Sequence, residues 1–311
     1  MSWRFGENAV VHPIPVGLSV RANEGQAVRA GEVIAAGTVL GSPIRVAGAR
    51  RLGVAAADLP RVMRVATGAE VARGAVLART GRRFARAASA PIDGRLAHVR
   101  ADGDLEVAPI VGRWAVRAVI DGTVTVASDT SLTVTGEAWC LQGTAAYGPD
   151  AIGELALIAD GGADELVPSR IDTKLRDRIL IGGGRSGAEA IARAHACGVA
   201  AVVAGAVPAA GLRALFGDDV DAHGLATRAD APTVLCLAGF GSASLPEALY
   251  SPLRVFAGSR AAVHTASARL FVFAPADAAA MPATPPVVAI TDDWGAVRAI
   301  EGSVTFEPSA R

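Results

Sequence analysis

The pattern of apolar and polar residues changes along the chain and predicts two kinds of structure. Between residues 114 and 155 apolar and polar residues alternate, most clearly in TVTVA and LTVTG, which flank the turn Ser128–Ser131. A period of two is typical of half-buried antiparallel strands, and the turn between the two runs predicts a hairpin. After about residue 162 the spacing becomes that of helices and continuous apolar strands. A β region is therefore followed by an α/β region.

In the second half, short apolar runs and helical patterns occur in the order βαβα. The strand Arg178–Ile181 precedes the helix AEAIARAHA, which ends at Gly198, and the strand VAAVVAG precedes the helix PAAGLRALF, which lies between Pro208 and Gly217. The runs TVLCLAG, AAVHTA and RLFVFA add strands, while Pro252 should interrupt any single helix through PEALYSPLRVF. This order predicts a small, mostly parallel sheet flanked by helices.

An internal repeat occupies the first third of the chain. Glu24–Ala35 (EGQAVRAGEVIA) and Thr67–Ala78 (TGAEVARGAVLA) share the pattern G-x-x-V-x-x-G-x-V-[I/L]-A. Each copy predicts a glycine turn, a short strand, a second glycine turn and an apolar strand, because glycine adopts positive φ without steric cost. The second copy continues to Ala90–Gly94 (APIDG), which starts another hairpin.

This succession resembles the lipoyl/biotinyl-type barrel-sandwich hybrid superfamily over about residues 16–110. In carrier members of that superfamily a lysine at the tip of the hairpin before A-P-x-x-G receives the cofactor. The corresponding stretch here, Arg79–Ser89, contains arginine and no lysine. A guanidinium stays protonated and is not acylated, so the resemblance implies a rigid β platform for docking, with no cofactor.

These patterns predict an α+β multidomain protein with four parts. Residues 1–112 form an all-β barrel-sandwich hybrid domain, and residues 113–162 form a β-rich hairpin region. Residues 163–275 form a small α/β (βαβ) domain with a mostly parallel sheet and a glycine loop. Residues 276–311 form an Ala/Pro-rich link and a β-like tail.

Composition narrows the class of partner. The 311 residues are 51% hydrophobic, enough for large cores, and their 30 basic and 30 acidic residues cancel. Because nucleic acid and anionic membranes favour basic surfaces, we expect no nucleic-acid partner and no membrane insertion. The uncharged stretch Ala194–Leu212 is long enough to span a membrane, but it contains His195 and Pro208 and fits a buried strand with its flanks better.

The three cysteines and the N-terminal sequence indicate a cytoplasmic protein. Cys140, Cys197 and Cys236 are odd in number and widely spaced, with no CxxC pair, which argues against a disulfide framework or a structural zinc site. The first residues lack the basic and apolar blocks of a secretory signal. We therefore expect free thiols in a reducing compartment.

The strongest candidate for chemistry is the loop Gly182–Gly187 (GGGRSG), which satisfies G-x-G-x-x-G between a predicted strand and a predicted helix. In dinucleotide sites such glycines let the backbone approach a phosphate, and the helix N-terminus offers N–H groups. The next strand ends at Gly205 without the acidic residue that would hold a ribose. The alternative is that the glycines let the helix pack tightly on the sheet. The candidate ligand-binding residues are Gly182, Gly184, Arg185, Ser186 and Gly187.

A second glycine turn, with Gly239, Gly241 and Ser242, follows the strand TVLCLAG. Ligands of open α/β sheets bind at the carboxyl ends of strands, so this turn should lie beside the first loop. Arg185 could then pair with an anion to which Ser186 and Ser242 donate. Two ordinary connections between strands and helices remain the alternative.

The same glycine-rich segment is similar to the swivelling phosphohistidine domain of phosphoenolpyruvate-utilising enzymes. Their motif is approximately GG-x-T-S-H-A-A-I-x-A-R-x-x-G-I-P-A-V-V-G, and Ala188 stands at the position of the phosphorylated histidine. Without an imidazole there, phosphotransfer is not implied. The matching positions are Gly183, Gly184, Ser186, Ala190, Ile191, Arg193, Gly198, Ala201, Val202 and Val203.

Weaker patterns offer other chemistry. Ser186 could form a degenerate nucleophile elbow with Asp221 and His264 as its partners, although the final glycine of that motif is alanine here. The run Asp218–His223 contains carboxylates and an imidazole, which are the side chains that a cation site uses. It fits a solvated loop better, and we predict no metal site. Lys174, the one lysine, lies in the charged segment DTKLRDR and should be exposed.

We therefore predict a non-catalytic assembly, adaptor or regulatory binding protein that uses the lipoyl-like β module as a docking surface, with a protein partner or self-association. The alternative hypothesis is an enzyme or sensor that binds a nucleotide or another small phosphorylated ligand at Gly182–Gly187. His195 and Cys197 are two residues apart and would face different sides of a helix, so a joint catalytic or metal role is not expected.

Overall fold

The structure is a computed structural model that describes residues 2–15, 17–81, 85–217, 220 and 230–278, with the backbone alone of residues 291–292, 295–300 and 303–308. Within these ranges the protein is α+β and rich in β structure. In the part of the chain so described, no helix is both long enough and apolar enough to cross a membrane.

The first 142 residues consist mainly of strands. They are β1 (Trp3–Pro13), β2 (Leu18–Val20), β3 (Ala27–Val28), β4 (Val33–Leu40), β5 (Ile44–Val46), α1 (Gly48–Leu52), α2 (Leu59–Val62), β6 (Glu70–Val71), β7 (Val76–Arg79), β8 (Ala87–Ser89), β9 (Gly94–Val99), β10 (Leu105–Ala108), β11 (Ile110–Arg117), β12 (Gly122–Ala127) and β13 (Ser131–Gln142).

The remaining elements alternate between strands and helices and end in a small antiparallel sheet. They are β14 (Ala145–Tyr147), β15 (Ala151–Leu157), β16 (Ile179–Ile181), α3 (Ala188–Cys197), β17 (Ala201–Val207), α4 (Ala209–Phe216), β18 (Thr233–Phe240), α5 (Glu247–Val255), β19 (Arg260–His264), β20 (Arg269–Val272), β21 (Thr291–Asp292), β22 (Gly295–Ile300) and β23 (Ser303–Pro308).

The largest sheet has eleven strands, which come from both sides of residue 162, where the sequence predicts a domain boundary. Its hydrogen-bonded order is β14, β18, β17, β16, β15, β19, β20, β13, β12 and β3, and β1 pairs along the other edge of β13. Strand β15 precedes residue 162 and pairs in parallel with β16, which follows it, with Leu155 opposite Ile179. The β-rich and α/β regions therefore share one sheet.

Strands β15 to β18 form the parallel part of this sheet, and the strands β19 and β20 add to it in antiparallel fashion. The predicted helices are present: α3 ends at Gly198 in the left-handed conformation, and α4 begins after Pro208. Neighbouring residues of β16 face opposite sides, because Ile179 packs in the core that contains α5 whereas Leu180 packs with α3. Helices therefore cover both faces of the parallel strands.

The prediction that Pro252 interrupts its helix is wrong, because α5 runs through that residue. Proline lacks the N–H that would bond to the carbonyl four residues earlier. Leu249, Tyr250 and Leu253 of the same helix are buried in the core beneath the sheet. This packing holds the helix together despite the missing hydrogen bond.

The two sequence repeats form the same local structure. In each copy both glycine turns have φ between +81° and +96°, which confirms the predicted turns. In each copy the N–H groups of both turn glycines donate to carbonyls of a later segment. These hydrogen bonds run from Gly25 to Val124 and from Gly31 to Ala118 in the first copy, and from Gly68 to Leu96 and from Gly74 to Ala90 in the second.

The strands that pair with the two repeats also share a sequence, A-x-I-D-G. The second copy pairs with β9, which begins in Ala90–Gly94 (APIDG), and the first copy pairs with β12, which begins in Ala118–Gly122 (AVIDG). In each copy the aspartate of this motif accepts a backbone N–H from the second glycine turn. The first copy is therefore completed beyond residue 112, where we placed the end of the first domain.

The second copy belongs to a lobe, residues 43–108, that is inserted between the two halves of the first copy. Its buried core cluster is drawn from residues 46–107 alone and includes Val46, Leu59, Leu77 and Leu105. The lobe is joined to the rest of the protein by β4 and β11, which pair with each other and which we call the neck. We call residues 43–108 the inserted lobe and the remaining residues, apart from the neck, the body.

Candidate functional site

The glycine loop, residues 182–187, lies where the sequence predicts it, after β16 and before α3. Its main-chain N–H groups are largely used within the protein. The N–H of Gly182 donates to Val203 at 2.8 Å, and that of Gly184 donates to Asp164 at 2.8 Å. The N–H of Arg185 also points to the Asp164 carbonyl, at 3.4 Å. A phosphate held by this loop would have to replace these hydrogen bonds.

The space beside the loop glycines is filled by other parts of the backbone. A Cβ atom on Gly183 would lie 2.6 Å from the carbonyl oxygen of Asp164. A Cβ atom on Gly184 would overlap the carbonyl oxygen of Ala243 and lie 2.8 Å from that of Gly162. Glycine at these two positions is therefore required by close packing between backbone segments, which is the alternative that the sequence left open.

Arg185 and Ser186, the two polar candidates of the loop, differ in their surroundings. The guanidinium of Arg185 forms an ion pair of 2.5 Å with Glu165 on the facing segment. Ser186 is completely buried, and its Oγ has no hydrogen-bond partner among the described residues. Its N–H donates to the carbonyl of Ala206. Arg185 is thus already paired with a carboxylate, and the Ser186 hydroxyl does not reach the surface.

The second glycine turn lies beside the first. The N–H of Gly241 donates to Val207 at 3.1 Å, and Gly239 pairs with Ala206 at the ends of β18 and β17. Residue 243, just beyond this turn, packs against Gly184. Ser242 is exposed at the turn. The structure therefore brings the two turns together, and they pack against each other.

A shallow pocket of about 270 Å³ opens next to the loop, at the beginning of α3. Glu165 and Glu189 both line it, together with Leu166 and Pro168. Carboxylates repel a phosphate electrostatically, and Arg185 offsets the charge of one of them. This pocket beside the glycine loop is therefore poorly suited to an anionic ligand.

The nucleophile-elbow hypothesis is not compatible with the topology. Ser186 follows the carboxyl end of β16, whereas His264 ends β19, which runs antiparallel to the neighbouring strand β15, with Val263 opposite Ala151. His264 therefore lies at the opposite end of the sheet from Ser186. Asp221, the third member of the hypothesis, lies outside the described residues.

The remaining candidates have ordinary structural surroundings. His195 faces Asp230 at 3.8 Å, and Cys197 is buried, with its Sγ 3.8 Å from the carbonyl of Ile171. Lys174 is exposed, as expected, and the run 218–223 is described at Val220 alone. None of the three cysteines forms a disulfide bond. Within the described part of the chain, no three His, Cys, Asp or Glu residues are arranged to hold a metal ion.

Two histidines that the sequence did not link meet inside the body. The rings of His12, on β1, and His264, on β19, are 5.7 Å apart, and their residues expose 1% and 4% of their surfaces. The N–H of Val119 donates to Nε2 of His12 at 3.1 Å, and Nδ1 of His264 lies 2.7 Å from Oγ of Ser267. His12 lies two residues after the buried Val10, so strand alternation could have predicted its burial but not its neighbour.

Burial keeps both imidazoles neutral. Loss of hydration, followed by the proximity of His264, lowers the pKa of His12 to about 4. Loss of hydration, followed by the charge of Arg269, lowers the pKa of His264 to about 4. Because the rings are closed off from solvent, the pair cannot exchange protons with a substrate in this conformation.

Comparison with known proteins adds no relative: no protein-family model, no curated protein and no solved structure matches the chain.

Proposed function

We propose that the protein is a non-catalytic adaptor that docks a protein partner through the inserted lobe and its neck. The observation that carries this proposal is the free edge of β11 in the neck. Among the described strands, β11 pairs with β4 on one side and lies at the end of its three-stranded sheet. A strand with a free edge can accept an added strand from a partner.

The exposed side chains of the neck support docking at this edge. Trp114 exposes 50% of its surface and Val111 exposes 64%. Tryptophan is among the residues that contribute most to protein interfaces, and an exposed tryptophan beside an unpaired strand edge is typical of an interaction surface. Arg113 and Arg117 on the same strand favour an extended partner segment with acidic residues.

The fold of the inserted lobe supports the same proposal. Its glycine turns and APIDG hairpin fit the barrel-sandwich hybrid resemblance, and a module of this kind without an attachment lysine acts by docking. As part of this proposal, we place the protein in the cytoplasm. The phosphate-binding alternative at Gly182–Gly187 is less well supported, because Arg185 is already in an ion pair with Glu165 and other backbone segments fill the space beside the loop glycines.

Photo-crosslinking with the full chain tests the proposal. A photo-reactive residue replaces either Arg113, on the neck, or the exposed Asp129, in a hairpin of the body. We expect a partner protein to crosslink at position 113 and not at 129. Excess wild-type protein without the photo-reactive residue should compete for the partner and reduce crosslinking. The Trp114→Ser variant should compete at least tenfold less well.

Two results would contradict this function. One is a Trp114→Ser variant that competes as well as the wild type. The other is a nucleotide or sugar phosphate that stabilises the full chain in a thermal-shift panel. Saturation at a hundred times the dissociation constant would raise the free energy of unfolding by about 2.7 kcal/mol.

A further inference from the structure

The charges of the chain cancel overall but are segregated in the fold. The inserted lobe, residues 43–108, contains twelve arginines and six acidic residues, a formal charge of +6. The rest of the chain therefore has a formal charge of −6. The zero net charge of the whole chain, which predicts no nucleic-acid partner, hides this separation.

Four of the six acidic residues of the lobe form ion pairs with a subset of its arginines. Asp58 pairs with Arg61 and Glu70 with Arg95, at 2.9 and 3.4 Å. Glu106 lies between Arg45 and Arg100, and Asp102 also pairs with Arg100. The remaining described arginines of the lobe form no ion pair and are exposed: Arg50, Arg51, Arg64, Arg73, Arg79 and Arg86.

Several unpaired arginines lie around one hairpin, β7–β8. Arg64 and Arg79 line a common open hollow of about 430 Å³ with Val76 and Gly81. The N–H of Arg64 donates to the carbonyl of Leu77 on β7, which holds the two arginines on adjacent segments.

A second group of unpaired arginines adjoins the same hairpin. Arg86 lies directly before β8, and its carbonyl accepts the N–H of Thr80. Its guanidinium lies against Gly53, which caps α1, the helix whose last turn contains Arg50 and Arg51. Arginines at the end of β7, directly before β8, in α1 and in the segment before β6 thus lie on segments that adjoin the β7–β8 hairpin.

We infer that this arginine face of the inserted lobe binds the phosphodiester backbone of a nucleic-acid strand. Exposed, unpaired guanidinium groups donate in pairs to phosphate oxygens, and a basic lobe on a chain of zero net charge concentrates that attraction at one place. Recognition by charge alone reads the backbone and not the bases. The inference rests on the proposed docking role of the lobe, and it gives the adaptor a second partner on a different surface from Trp114.

Fluorescence anisotropy with labelled oligouridylate and oligothymidylate strands tests the inference on the full chain. Four phosphate contacts on a single strand give a slope of about −2.8 in log affinity against log salt, so affinity should fall about fifty-fold between about 50 and 200 mM salt. Stronger binding of one strand would identify RNA or DNA as the source of the phosphodiester.

A matched pair of variants locates the surface. Arg64→Ala with Arg79→Ala removes two charges from the hollow, and Arg21→Ala with Arg29→Ala removes two exposed charges from the body. We expect the first pair to weaken binding at least tenfold and to reduce the salt slope by about 1.4, and the second to change affinity less than twofold. Unchanged thermal melts would show that both variants are folded.

Four outcomes would overturn the inference: no binding at low salt, equal losses in the two variants, binding to phosphatidylserine vesicles but not to either strand, or salt-sensitive self-association that the Arg64 and Arg79 substitutions abolish. Each outcome leaves the crosslinking test at position 113 unaffected, so failure of nucleic-acid binding and failure of protein docking can be distinguished.

Discussion

The carboxylate of Asp93 accepts a hydrogen bond of 2.8 Å from the backbone N–H of Arg73, in the second glycine turn of the inserted lobe. The same bond, 2.7 Å long, joins Asp121 to the N–H of Ala30 in the first copy of the repeat. The two aspartates therefore hold equivalent turns in place, one inside the lobe and one in the body.

These two aspartates should differ in what their loss does to stability. Asp93→Ala removes one exposed hydrogen bond and should lower the free energy of unfolding of the lobe by about 1 kcal/mol. Asp121 also forms an ion pair of 3.2 Å with Arg260 on β19. Asp121→Ala should therefore lower the free energy of unfolding of the body by more than Asp93→Ala lowers that of the lobe. Hydrogen exchange resolved by segment measures both effects.

A matched pair of substitutions provides the control. Asp93→Asn and Asp121→Asn keep an acceptor oxygen in each turn and should recover most of the lost protection. If Asp93→Ala reduced protection equally in the lobe and in β12 and β13, the lobe would not be an independent unit of stability.

The glycine loop should tolerate a methyl group at one end and not in the middle. Gly184→Ala would place a Cβ against the carbonyl of Ala243, and backbone cannot move aside cheaply, so we expect a loss of about 3 kcal/mol in the free energy of unfolding. Gly187→Ala would place a Cβ 3.0 Å from Oε1 of Glu165, a flexible side chain, and should cost less than about 1 kcal/mol. Urea unfolding measures both, and equal losses would argue against backbone packing as the reason for Gly184.

The buried histidine pair should make the body sensitive to acid. In the unfolded chain an imidazole has a pKa of about 6.5, whereas His12 and His264 have pKa values of about 4 when folded. Unfolding therefore takes up protons between these values, so stability is complete above about pH 6.5 and decreases as the pH falls towards 4. With about 1.4 kcal/mol for each pKa unit, the loss is on the order of 3 kcal/mol per histidine by pH 4.

Urea midpoints measured between about pH 8 and about pH 4.5 test this dependence. His12→Gln keeps an acceptor for the N–H of Val119 and does not titrate, so its midpoint should decrease less with falling pH than that of the wild type. His98→Gln, at an exposed position of the lobe, should leave the pH dependence unchanged. A wild-type slope in His12→Gln would show that another group is responsible.

Much of the α/β region was predictable because its signals are local. Gly198 and Pro208 mark helix ends through their own backbone conformations, and apolar runs such as residues 201–207 identify buried strands without reference to partners. The continuation of α5 through Pro252 was not predictable, since it depends on the core against which that helix packs. The position of the glycine loop was predicted correctly. The packing of residues 159–166 and 243 into the space beside its glycines was not predictable, because these residues belong to other segments of the chain.

The sequence by itself determined the repeat, its glycine turns, the order of strands and helices, and the absence of lysine from Arg79–Ser89, because each depends on a residue's own conformation or chemistry. Tertiary structure alone decided that one copy of the repeat is inserted in the other, that His12 meets His264, and that unpaired arginines collect around one hairpin. Strand pairing and charge segregation join residues far apart in the chain. Summed charge and local periodicity contain no information about such neighbours.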